Sequence, residues 1–78
     1  MEFVQREFVQ RLKELMQTNN INSYQLAKGA GVTLSTISVW TLGKSLPSIE
    51  RLSKVAKFFD VSIDYLIGMD DIPNRRVG

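Results

Sequence analysis

The fold is decided in residues 22–46, NSYQLAKGAGVTLSTISVWTLGKSL. Two short stretches with helical apolar spacing flank a glycine break. Asn22 or Ser23 can cap the first, whose packing residues are Leu26 and Ala27. Residues 29–32, Gly-Ala-Gly-Val, interrupt the period, and Gly31 supplies the positive φ of a tight turn at no steric cost. Thr33 caps the second stretch, Ile37 anchors it inward, and Gly43 stops it before the polar loop 44–47. The spacing predicts helices over about 23–30 and 33–42, crossing closely where Ala27 is small.

Working outward, an earlier helix over about 2–18 carries Phe8, Leu12, Leu15 and Met16 at i, i+4, i+7 and i+8. It opens on a tandem copy, Glu2-Phe3-Val4-Gln5-Arg6 and Glu7-Phe8-Val9-Gln10-Arg11. Five residues turn a helix by about 500°, which leaves the two phenylalanines about 140° apart. Phe8 is therefore read as core and the first copy as an extension. Downstream, Ser48 opens a helix over about 48–59, with Ile49, Leu52, Val55, Ala56 and Phe59 apolar. A last short helix over about 62–67, with Ile63, Leu66 and Ile67, ends at Gly68. Residues 1–68 read as one all-α domain of five short helices, and residues 69–78 as an aperiodic tail.

Composition excludes much else. The 78 residues contain no cysteine and no histidine, which removes thiol chemistry, Cys-ligated zinc and the commonest general base. No nucleophile–base pair or metal cluster can be assembled, and Asp70-Asp71 without further ligands makes a poor cation site. An enzyme, a metal and a small-molecule cofactor are not expected. No apolar run approaches the roughly 18 residues of a membrane span, so the chain reads as cytosolic. The net charge of +2 permits a polyanionic partner without requiring one.

A two-turn helix, a three-residue break and a second short helix form a helix-turn-helix arrangement. The residues around it resemble the phage-repressor and Cro type of bacterial regulators, the XRE family. Arg11-Leu12-Lys13-Glu14-Leu15, Leu26-Ala27, Gly31-Val32-Thr33, Ser35-Thr36-Ile37-Ser38, Trp40 and Gly43-Lys44 carry the resemblance. Pro47-Ser48, Leu52, Val55-Ala56-Lys57, Val61-Ser62 and Tyr65-Leu66-Ile67-Gly68 continue it over residues 8–68. The resemblance implies a compact lambda-repressor-like domain that binds double-stranded DNA, usually as a homodimeric transcriptional repressor in the cytosol of a bacterium. It further implies base contacts from Leu34, Ser35 and Val39. Asn22, Ser23 and Thr33 at the helix starts, with Lys44 and Ser45 in the loop, would hold phosphates.

A helical wheel centred on Ile37 puts Thr33, Trp40 and Thr41 within about 60° of the inward direction. Ser35, Val39 and Leu42 fall on the far side, Thr36 and Ser38 on the flanks and Leu34 at the edge of the first turn. Base reading thus falls to Leu34, Ser35, Ser38 and Val39, with Thr36 and Lys28 added to the phosphate set. Related proteins commonly place Gln, Arg or Asn at the reading positions. Here residues 33–42 carry no charge and no amide, so apolar contacts to thymine methyls, helped by DNA shape, are the expected mode. The same uncharged face of Leu34, Val39 and Leu42 keeps a protein partner as the second reading. The family also often pairs an arginine late in the first helix with a glutamate late in the third. Met16 and Thr41 occupy those positions, and loss of both avoids the roughly 3–5 kcal/mol of an unpaired buried charge.

Other side chains have plainer readings. Arg51, Lys54 and Lys57 form the wet face of an amphipathic helix. Tyr24 either packs on a sugar-phosphate backbone or covers its own helix. Arg75-Arg76 could seek phosphate. Tyr65, Leu66, Met69 and Ile72 concentrate apolar area near the C-terminus and are candidates for a dimer contact.

Overall fold

The starts of four helices are set by side-chain caps. In the computed structural model, which describes residues 2–73, the elements are α1 (Glu2–Thr18), α2 (Ser23–Ala30), α3 (Leu34–Thr41), α4 (Ile49–Phe59) and α5 (Ile63–Leu66). Asn22, Thr33, Ser48 and Ser62 lie in extended backbone, and each accepts the N–H of the residue three further on. Asn22 also donates its own N–H to Gln25 Oε1 at 2.9 Å, completing a capping box. Helices α3, α4 and α5 each begin one residue later than the predicted ranges, which include the caps Thr33, Ser48 and Ser62.

The stops share one geometry. Asn20, Gly31, Gly43, Asp60 and Gly68 have left-handed backbone with φ between 57° and 83°. In each case the following N–H reaches five residues back, at 2.8–3.0 Å, to Met16, Ala27, Val39, Ala56 and Asp64. Only Gly tolerates this conformation freely, while Asn and Asp visit it as single residues. The residue making that bond is apolar at Ile21, Val32, Val61 and Met69. Lys44 is the exception.

The closely packed pairs are α1 with α3, α3 with α2, α2 with α4, α4 with α5, and α5 with α1. The five helices therefore close into a ring around one core. Phe8, Leu12, Leu26, Ile37, Val55 and Leu66 are fully buried there, with Trp40, Leu52, Ala27, Ala30, Ala56 and Val61 beside them. The Phe8 and Trp40 rings meet edge to face at 6.2 Å and fasten α1 to α3. At the α2–α4 crossing a Cβ on Gly29 would clash with the Phe58 ring, so the two helices approach closely there.

Three expectations are corrected. Leu66, a candidate dimer contact, is fully enclosed, because α5 turns that residue into the ring between α1 and α4. Ile49, placed with the apolar row of α4, is 73% exposed, since the first turn of α4 projects past the core. Residues 69–73 do not trail away. Pro73 C=O accepts the Ser62 N–H at 3.0 Å, and Arg11 on α1 donates to Asp70 C=O at 3.2 Å and Asp71 Oδ1 at 3.1 Å. Arg75 and Arg76 lie outside the described residues.

Candidate nucleic-acid interface

The ring grips α3 from two sides and leaves its outer side free. Ile37 and Trp40 point into the core, as the wheel predicts, and Thr41 is half-buried. Leu34, Ser35, Ser38 and Leu42 are exposed, Leu42 by 69% and Leu34 by 50%. Thr33 is exposed too, since a cap precedes the helix and escapes its periodicity. Its hydroxyl lies 3.0 Å from that of the half-buried Thr36.

Val39 departs from the wheel. It is half-buried and packs against the core, although 200° from Ile37. The chain doubles back at Gly43, and the Lys44 N–H bonds the Val39 carbonyl at 3.0 Å, so the closing turn lies over that side of the helix end. The free face of α3 is accordingly narrower than the sequence suggests: Leu34, Ser35, Ser38 and Leu42, with Val39 at its margin.

Polar groups border this face. Asn22 and Ser23 are exposed at the start of α2. The Asn22 carbonyl oxygen is engaged by the Gln25 N–H at 2.8 Å, which leaves its NH₂ outward. Lys28, in the last turn of α2, extends with Nζ 6.0 Å from the centroid of the exposed Tyr24 ring. Beyond α3, Lys44 and Ser45 are the exposed pair of the loop, and the Ser45 hydroxyl donates to the Leu46 carbonyl at 3.3 Å. Arg51, Lys54 and Lys57 are all exposed on α4. Met16 and Thr41 line one open cleft together with Lys13, Gln17, Asn22 and Ser23. Both positions thus border the same cleft, and among the described residues no buried side chain is polar or charged.

Two contacts escape the sequence reading. Gln5 Nε2 donates to the Gly43 carbonyl across 38 residues of chain. Arg11 stacks its guanidinium 4.2 Å over the Tyr65 ring. Burial works against the Arg11 charge, but the Asp71 hydrogen bond and the Tyr65 contacts outweigh it and hold the guanidinium above its ordinary pKa. The half-buried Tyr65 is thus largely occupied within the chain, while Met69 and Ile72 remain 59% and 56% exposed.

A helix-turn-helix family profile matches residues 12–66, which include α2, the turn and α3. The chain is 30% identical over 70 residues to YobD, an uncharacterized HTH-type transcriptional regulator of Bacillus subtilis, covering 90% of this chain and 62% of that protein. It is 36% identical over 66 residues to the HTH-type transcriptional activator BcrR of Enterococcus faecalis, covering 85% and 32%. To the cryptic phage CTXphi transcriptional repressor RstR of Vibrio cholerae it is 30% identical over 60 residues, covering 77% and 54%. The chain therefore spans less than two thirds of each of these relatives. No solved structure gives a significant match. Among the described residues no helix is long and apolar enough to cross a membrane. With α3 held at its back by α1 and α2, and the profile falling on that unit, the chain belongs to the XRE-type helix-turn-helix family of DNA-binding transcriptional regulators.

Proposed function

We propose that this chain is a sequence-specific repressor that occupies promoter DNA in the cytosol, with α3 in the major groove. The observation that carries the reading is the face of α3, an exposed and uncharged strip bordered by donors at both ends. Leu34 and Leu42 suit thymine methyls, and Ser35 and Ser38 add short hydrogen bonds, with Val39 contributing from the margin. Asn22, Ser23, Lys28, Thr33, Thr36, Lys44 and Ser45 take the phosphates that fix register without reading sequence. Repression is favoured over activation because occupancy alone can block a promoter, whereas activation also needs a contact to the transcription machinery. The relatives include both an activator and a repressor.

A two-fold homodimer fits this reading, with Met69 and Ile72 as the exposed part of its contact and Tyr65 at the edge. Such a dimer would set its α3 helices about 34–36 Å apart on a near-palindromic site. A second reading, a protein-docking face on α3, is favoured by the exposure of Leu34 and Leu42. Salt separates the two. Gel-shift titrations on the neighbouring promoter should lose affinity steeply between low and moderate salt, and Lys44→Ala should lower the log–log slope by about 0.9. Absence of any sequence-selective shift at low salt would refute the repressor reading.

A further inference from the structure

We propose that Gln5 is a positioning residue for the phosphate contact of Lys44, acting by fixing the peptide unit between Gly43 and Lys44 against α1. This inference rests on the DNA-binding reading of Lys44. Both polar atoms of that peptide unit are engaged. The Lys44 N–H donates to the Val39 carbonyl at 3.0 Å, and the Gly43 carbonyl accepts from Gln5 Nε2. Turning the peptide plane would break both bonds at once.

The unit also lies in van der Waals range of α1. Gly43 holds φ at 72°, and a Cβ there would lie 3.6 Å from a methyl of Val9, one turn along α1 from Gln5. On the far side Leu46 is half-buried against the core. Lys44 and Ser45 are thus the two exposed residues of a loop fastened before and behind. Because the peptide plane orients the Lys44 Cα, holding it fixes the base from which the Lys44 side chain extends. A flexible lysine otherwise loses rotamer freedom on binding, and a fixed base reduces the ordering that remains. Gln5 lies ahead of residues 12–66, the region matched by the family profile, so this support belongs to the N-terminal half of α1.

Gln5→Met keeps the length of the side chain and removes the donor. With a duplex selected by the wild-type protein from a random-sequence library, Gln5→Met should weaken binding by about threefold to tenfold, the equivalent of one hydrogen bond. It should also flatten the salt slope, as Lys44→Ala does. On a Lys44→Ala background the same change should alter affinity by less than about twofold, because coupled residues are not additive. In the free protein, hydrogen exchange at the Lys44 amide should quicken by about threefold to tenfold while the Ile21 amide, at the same position of the α1 stop, stays unchanged. Gln10→Met, the sister glutamine, serves as the control and should bind like wild type. If Lys44→Ala weakens binding and Gln5→Met does not, or if the two effects add in full, the inference is overturned and the DNA-binding reading stands. If the wild type selects no duplex, both fall. Unchanged exchange at the Lys44 amide overturns the inference on its own.

Discussion

The pentapeptide Glu-Phe-Val-Gln-Arg stands twice in α1, at residues 2–6 and 7–11, and the two copies meet different surroundings. Phe8 is fully buried against Trp40, whereas Phe3 is half exposed. Arg11 is enclosed by Tyr65, Glu7 and the backbone of Asp70, whereas Arg6 is exposed. At glutamine the order reverses. Gln5 reaches Gly43, while Gln10 lies exposed and donates to Glu14 at 3.4 Å within its own helix. A wheel centred on Phe8 accounts for all three pairs. Gln5 and Arg11 fall about 60° to either side of the core direction, and Gln10, Arg6 and Phe3 fall about 140–160° away. Identical sequence thus takes its role from angular position in the ring, not from residue type.

This contrast can be broken by experiment. The largest difference should lie between the phenylalanines. Phe8→Ala should cost about 3–5 kcal/mol in urea unfolding and Phe3→Ala less than about 1 kcal/mol. Similar losses for both would mean that the first copy is also core. Next come the arginines. Arg11→Met should lower the melting temperature by a few degrees and speed hydrogen exchange at the Ser62 amide, which bonds the Pro73 carbonyl, as residues 69–73 loosen. Arg6→Met should do neither, and an equal effect would show that the Arg11 contacts do not hold that segment. The smallest difference is expected at glutamine. Gln5→Met should destabilise by about 0.5–1.5 kcal/mol, the net worth of one hydrogen bond, with Gln10→Met near zero. Equal values would place the Gln5 bond outside the stable fold.

Much of this was legible beforehand because its causes are local. Thr33 caps where the sequence places it, Asn22 is the cap of the two that the sequence leaves open, and Gly31, Gly43 and Gly68 stop their helices. The inward pair Ile37 and Trp40 follows from period alone. The exposure of Leu34, Ser35, Ser38 and Lys44 was legible as well. Val39 was misplaced because a wheel describes a helix in isolation and omits the turn that folds back over its end. Leu66 was misplaced because apolar surplus near a C-terminus does not reveal which residues complete the core. Gln5 carried a usable signal, a polar side chain about 60° from the core direction, but its partner lies 38 residues away.

The sequence by itself determined the order of five helices with their ends to within one residue, the helix-turn-helix and the uncharged character of α3. These depend on bonds that span three to five residues and on side-chain chemistry read in place. Only the tertiary structure decided that Leu66 is inside and Ile49 outside, that residues 69–73 return to α1, and that Gln5 supports the loop after α3. Those outcomes depend on which helix faces meet across tens of residues, and the closing of the ring α1–α3–α2–α4–α5 selects among faces that the local pattern leaves equally apolar.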